Sequence, residues 1–216
     1  MKAIVLLSGG LDSTTCLAKA CSEGYTTYAL SFNYKQRHIV ELEAAKKIAS
    51  QYKVKEHYIV DISLPSIYTS SLTNEDINVP DYKKQESIPN TYVPGRNTLF
   101  LSYAMSLAES IQAESIWIGC SSIDYSGCPD CRPDYIKAFQ QLIGLAIPNG
   151  INGKKLTIQT PLITLSKAET IALGLSLGVD YSQTISCYKA TKENPACGQC
   201  DSCVLRNKGF EELKKS

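Results

Sequence analysis

A chain of 216 residues, 44% hydrophobic and 20% charged, is long enough to bury a sizeable core as one domain over 1–216, and it has no apolar run of membrane-spanning length. Its 22 basic and 21 acidic residues leave a net charge of +1, so no long-range field advertises a nucleic-acid partner. Nine cysteines behind an amino terminus whose apolar run is broken early by Ser-Gly-Gly argue against a secreted disulfide framework, and the cytoplasm is the expected compartment.

The apolar run over 3–7 reads as a short buried strand. It leads into Ser8-Gly9-Gly10-Leu11-Asp12-Ser13-Thr14-Thr15 and then a helical pattern over 15–20. Strand, glycine turn and helix start form a typical phosphate cradle. Glycines let the backbone approach the anion, successive N–H groups form a nest, and the positive end of the helix dipole faces the same point. Ser8, Ser13 and Thr14 can add hydroxyl donors. For the glycine pair alone, a plain turn with Ser13 as helix cap is the competing reading. The stretch lacks both the Lys-Ser or Lys-Thr of the kinase-type loop and the three spaced glycines of the dinucleotide fingerprint.

A second strand is predicted over 27–32, followed by the polar Asn33-Tyr34-Lys35-Gln36-Arg37-His38 and a helix over about 39–52. Ligands of open α/β sheets bind beyond the carboxyl ends of the strands, which puts Arg37 and His38 at the site or its rim. The only other histidine, His57, falls in a third strand over 56–60, at a spacing that makes no metal pair. Residues 61–91 lose periodicity and read as a lid over the site or a partner-facing segment. Val93-Pro94-Gly95-Arg96-Asn97-Thr98 introduces a periodic helix, with Asn97 or Thr98 as its cap and Arg96 at its positive end, where it would add charge to an anion site. A fourth strand over 116–119 exits into a polar loop whose Asp124, Tyr125, Asp130 and Arg132 suit a polar, planar small molecule. A helix over 134–147 and a fifth strand over 157–160 follow. Ser166 and Glu169 then form a capping box, which places Lys167 at the positive end of a helix ending at Gly178. A lysine is unfavourable there unless an anion lies nearby, so Lys167 is a candidate phosphate contact.

Cys187, Cys197, Cys200 and Cys203 put four thiols within 17 residues, with two-residue spacers that let neighbouring thiolates meet one ion. Structural zinc is preferred over an iron–sulfur cluster. Four thiolates leave no open position for catalysis, so the expected role is to staple segment 187–203 to the body. Cys16 and Cys21 read as small core residues. Cys128 and Cys131, with Cys120, form a weaker candidate for a second metal or redox site, because no fourth ligand is evident.

Ser-Gly-Gly-x-Asp-Ser after an apolar strand resembles the pyrophosphatase loop of the ATP-pyrophosphatase, or PP-loop, superfamily. Together with Gln36-Arg37-His38, Val93-Pro94-Gly95-Arg96-Asn97, Asp124-Tyr125-Ser126-Gly127, Pro129-Asp130-Cys131-Arg132-Pro133, Ser166-Lys167-Ala168-Glu169, Ser186-Cys187-Tyr188 and the last three cysteines, it makes nearly the whole chain resemble the 7-cyano-7-deazaguanine synthase family of the queuosine pathway. Lys35 stands where that family usually has glycine, and Cys128 where it usually has tyrosine.

The resemblance implies an α/β fold of the adenine-nucleotide alpha-hydrolase-like, Rossmann-like kind: a parallel sheet flanked by helices, with a zinc-stapled carboxyl-terminal segment. It implies an ATP-dependent ligase acting on 7-carboxy-7-deazaguanine and ammonia through adenylated intermediates, with ATP consumed as a substrate together with magnesium and one structural zinc per chain, in a homodimer with no nucleic-acid or membrane partner. Carried over by position, Leu7, Ser8, Gly9, Gly10, Leu11, Asp12, Ser13, Thr14, Thr15, Cys16 and Leu17 would form the ATP-binding stretch. Asp12, Ser13, Arg96 and Lys167 would be catalytic, and Arg37, His38, Asp124, Tyr125, Asp130 and Arg132 would bind the deazaguanine. Two other readings stay open. A tRNA-thiolating enzyme of the same superfamily would use Cys128 or Cys131 as sulfur carrier and should show a basic RNA-binding surface or an added domain. A zinc-stapled nucleotide-binding module without catalysis would leave the polar strand-exit loops unexplained.

Overall fold

The structure is a computed structural model that describes residues 1–36, 40–63, 69–83, 88–121, 128–147 and 155–215. Five strands, β1 (Lys2–Leu6), β2 (Thr26–Asn33), β3 (Glu56–Asp61), β4 (Ser115–Trp117) and β5 (Thr157–Gln159), form one parallel sheet in the order β3-β2-β1-β4-β5. Central β1 is apolar on both faces, as a parallel strand covered by helices must be. Ile4 stands in register between Tyr28 and Ile116.

Alternation along the strands divides the core. Ala3, Val5, Leu7 and Trp117 face α1 (Leu11–Ser22) and α2 (Val40–Gln51), where they meet Cys16, Leu17, Ala45 and Ile48. Ile4, Leu6, Leu30 and Ile116 face the opposite way, onto α3 (Arg96–Ile111) and α4 (Pro133–Ala146) through Leu101, Ala104, Phe139 and Ile143. Two further helices, α5 (Lys167–Ser176) and α6 (Asp201–Leu213), close over α1 with Ile171, Tyr181 and Phe210 against Leu11 and Ala18. The chain leaves β1 toward β2 on one side and returns from β3 to β4 on the other. The order therefore reverses between β1 and β4, and the crevice beyond their carboxyl ends is where such sheets bind ligands.

Several local expectations change. α1 begins at Leu11, with Gly10 at its cap and no side-chain cap bond, so Ser13 lies inside the first turn. Neither Asn97 nor Thr98 caps α3. Its cap residue is Gly95, and the Asn97 N–H donates to the Asp130 carboxylate at 3.0 Å. Lys35 holds φ at +58°, the left-handed region that glycine enters freely and a side chain enters at a cost of about 1–2 kcal/mol, which gives a physical reason for the glycine of the resembled family. The capping box at Ser166 and Glu169 forms as predicted.

Behind the first loop, Ser31 Oγ donates to the Leu7 carbonyl at 2.5 Å and lies 2.7 Å from His57 Nε2. The serine proton is committed to Leu7, so His57 must donate from Nε2. Burial, then the charge of Lys46, lowers the His57 pKa below the ordinary 6.5. The unfolded chain thus takes up a proton that the folded chain resists. This contribution to stability is complete above about pH 6.5 and is lost as pH falls from there toward the folded pKa. Urea unfolding at pH 7.5 and 5.0 should show a smaller difference for His57→Gln, which keeps the N–H donor, than for the unsubstituted protein.

Candidate functional site

The first loop is built around hydroxyls and a glycine no other residue can replace. Gly9 has φ +88°, and a Cβ on it would stand 2.3 Å from the Glu41 carbonyl oxygen and 2.7 Å from the Ala45 nitrogen of α2. The turn is therefore wedged against a helix backbone that cannot yield. Ser8 Oγ lies 3.1 Å from Ser13 Oγ and accepts the Gly10 N–H at 3.3 Å, while Ser13 Oγ accepts the Ser8 N–H at 3.2 Å. Both hydroxyls converge at the start of α1, whose dipole favours an anion. Gly119, at the exit of β4, lets the neighbouring loop approach: a Cβ there would sit 2.8 Å from the Asp12 carbonyl oxygen.

Beyond these strand ends opens a cavity of about 780 Å³, within the range of small-molecule sites. Ser8, Gly10, Asp12 and Ser13 line one part of it, Arg96, Asp130 and Cys128 another. Asp12 lies in the first turn of α1 and accepts Lys167 Nζ on both oxygens, at 2.7 and 2.9 Å. Lys167 is 7% exposed, so the lysine that looked misplaced at a helix start has a carboxylate partner. The ion pair ties the start of α5 to the start of α1, and of its two members Asp12 lines the cavity while Lys167 does not. Asp130, also 7% exposed, accepts the Asn97 N–H through Oδ2, and its main-chain oxygen accepts Asn97 Nδ2 at 3.0 Å. An aromatic wall completes the site: Phe32 and Phe100 stack at 4.0 Å with their planes 3° apart, and Tyr34 adjoins Phe100 at 5.7 Å. Such a wall suits a planar heteroaromatic ligand. Arg96 Nη1 donates to Tyr34 Oη at 3.4 Å.

The described part of 61–91 does not stand apart from the site. Pro80 to Lys83 and Ile88 to Val93 contribute to the cavity wall, and this stretch is tied to the cysteine segment. Tyr82 N–H donates to the Gln199 carbonyl at 2.7 Å, and Lys189 pairs with Asp81 at 2.7 Å.

The thiol sulfurs of Cys187, Cys197, Cys200 and Cys203 all lie within 4.8 Å of one another. A tetrahedral zinc with Zn–S near 2.3 Å requires sulfurs about 3.8 Å apart, so the four fit a metal ion. Backbone N–H groups already turn toward them: Lys189 and Cys197 donate to Cys187 Sγ at 3.3 Å, and Gln199 and Cys200 to Cys197 Sγ at 3.4 and 3.3 Å. Burial opposes ionisation of Cys197, but the N–H groups of Gln199 and Cys200, with side-chain hydrogen bonds from Cys187 and Cys200, outweigh it and hold that thiol at about 7. Among the described residues, this is the one group of metal-ligating side chains so gathered. Cys120, Cys128 and Cys131 line the cavity instead. Burial pushes Cys120 up to about 12, whereas a hydrogen bond from Cys131 draws Cys128 down.

Of the stretch Leu7 to Leu17, the cavity takes Leu7, Ser8, Gly10, Leu11, Asp12 and Ser13. Thr14 and Thr15 donate their hydroxyl protons to the carbonyls of Gly10 and Leu11, and Cys16 and Leu17 are fully buried in the core. Arg132 is exposed at the start of α4 and is not part of the cavity lining. Arg37, His38, Asp124 and Tyr125 lie outside the described residues. Sequence reasoning passed over Ser186, Tyr34 and the aromatic wall. Ser186 entered the sequence reading only within the matching stretch Ser186-Cys187-Tyr188, with no role of its own.

The chain is 60% identical over 213 residues to a 7-cyano-7-deazaguanine synthase from Coxiella burnetii, covering 99% of this chain and 94% of the relative. It is 57% identical over 213 residues to a protein of the same name from Saccharophagus degradans, with the same coverage. Its fold is similar to that of the U34-tRNA thiolase NcsA from Methanococcus maripaludis, at a TM-score of 0.53 and 15% identity over 100% of this chain and 72% of that one. The family described as queuosine biosynthesis protein QueC matches residues 2–214, and the chain belongs to that family.

Proposed function

We propose that this chain is an ATP-dependent carbon–nitrogen ligase that converts 7-carboxy-7-deazaguanine and ammonia to 7-cyano-7-deazaguanine. The observation that carries this reading is the meeting, in one cavity, of the serine-rich loop after β1 with Asp130 and the aromatic wall. A carboxylate is a poor electrophile. Its oxygen attacks the α-phosphorus of ATP, the bond to the β-phosphate breaks, and pyrophosphate leaves. Ammonia then adds to the acyl carbon, AMP departs with its electron pair, and loss of a proton gives the amide. The amide oxygen attacks a second ATP in the same way, and departure of AMP with its electron pair and loss of both N–H protons leave the nitrile.

Ser8, Ser13 and the start of α1 hold the departing pyrophosphate, where charge develops. Arg96 and Lys167 supply positive charge, Asp12 orients Lys167 or a magnesium ion, and Asp130 meets the deazaguanine. Zinc on the four cysteines is structural. The protein acts in the cytoplasm as a homodimer, without nucleic acid or membrane. Incubation with 7-carboxy-7-deazaguanine, ammonium and ATP should yield the nitrile by mass spectrometry. Absence of both amide and nitrile overturns the reading.

A further inference from the structure

We propose that Ser186 is a third pyrophosphate-binding hydroxyl, delivered from the carboxyl-terminal segment, and that Arg206 of α6 is the residue that positions it. This rests on reading the first loop as the ATP site and adds to it a residue from the far end of the chain.

Ser186 Oγ accepts the N–H of Leu11, the first residue of α1, at 3.2 Å, and Arg206 Nη1 at 3.3 Å. Two donors occupy its lone pairs, and no acceptor for its own proton is present among the described residues. That proton is free to be donated to a ligand. The direction is given by Gly10: a Cβ on that residue would lie 3.4 Å from Ser8 Oγ and 3.6 Å from Ser186 Oγ, so the two hydroxyls flank the same space. Both residues line the cavity. A side chain at position 10 would fill the cradle they form.

The segment carrying Ser186 is fixed on both sides. The neighbouring Ile185 N–H donates to the Gly9 carbonyl at 2.9 Å, which ties the segment to the loop itself. Arg206 spreads its guanidinium over three acceptors, adding Thr184 Oγ1 at 2.7 Å and the Tyr181 carbonyl at 2.7 Å, and lies 5.7 Å from the Phe210 ring centre. A planar fork held at several points places a hydroxyl more sharply than a flexible ammonium could. Arg206 therefore acts through Ser186.

The test measures inorganic pyrophosphate binding by calorimetry and the KM for ATP in Ser186→Ala, Ser186→Thr, Arg206→Met, the Ser186→Ala/Arg206→Met double variant and Ser8→Ala. Ser186→Ala should weaken pyrophosphate binding and raise the ATP KM about tenfold with its cysteine-bound metal intact, and Ser186→Thr should restore both. Arg206→Met should lose a similar factor, and the double variant no more than Ser186→Ala alone, since the two act as a unit. Normal pyrophosphate binding by Ser186→Ala beside weak binding by Ser8→Ala overturns this proposal and leaves the ATP site standing. Normal binding by both overturns the ATP site as well. Additive losses in the double variant overturn the positioning role of Arg206.

Discussion

Asp12→Asn should lower turnover by about 10³-fold and cost about 3 kcal/mol of stability, and the two losses should be separable. The stability loss comes from Lys167. Its side chain is 8% exposed and that of Asp12 22%, so removing the carboxylate strips the 2.7 Å partner from an ammonium largely out of water. Breaking a buried pair from one side is costly, while replacing both members by uncharged groups is often near neutral. The Asp12→Asn/Lys167→Met double variant should therefore recover most of the unfolding free energy in urea yet remain without turnover. The turnover loss has a separate source, the charge balance at the start of α1, where Asp12 lines the cavity. If Asp12→Asn keeps a tenth of the activity, the assignment fails. If the double variant is no more stable than the single one, the pair is not what holds this corner together.

The same pair shows how far the sequence could be read. A lysine in the first turn after a capping box is a local anomaly, visible in Ser166-Lys167-Ala168-Glu169. Its partner lies 155 residues away, and nothing in local pattern points to Asp12. The cap of α3 is similar: Asn97 and Thr98 are good capping residues, but Asp130, 33 residues on, takes the Asn97 N–H instead. The strands were legible because a parallel sheet buries both faces and writes continuous apolar runs. α6 was not, because a helix that opens on Cys200, one of the four clustered thiols, and exposes Lys208, Glu211 and Glu212 has a weak apolar stripe. The hydroxyl loop was legible as an anion cradle. Which hydroxyls face the cavity was not, since Thr14 and Thr15 turn inward onto backbone carbonyls.

Cys200→Ser should abolish metal binding and also disable the site, whereas site variants should leave the metal in place. Cys200 is fully buried and caps α6, so an uncoordinated hydroxyl there loses both packing and a ligand. Folding free energy of at least about 3 kcal/mol should be lost, lowering the melting temperature by about 6–12 °C. The damage reaches the cavity by two routes. Tyr82 and Asp81 of the wall are bonded to Gln199 and Lys189 of the cysteine segment, and Ser186, which meets α1, directly precedes Cys187, the first of the four clustered cysteines. Ser8→Ala touches none of these bonds and should retain its full metal content by elemental analysis. If Cys200→Ser loses its metal but keeps normal ATP affinity, the cysteine segment is a remote staple and not a wall of the site.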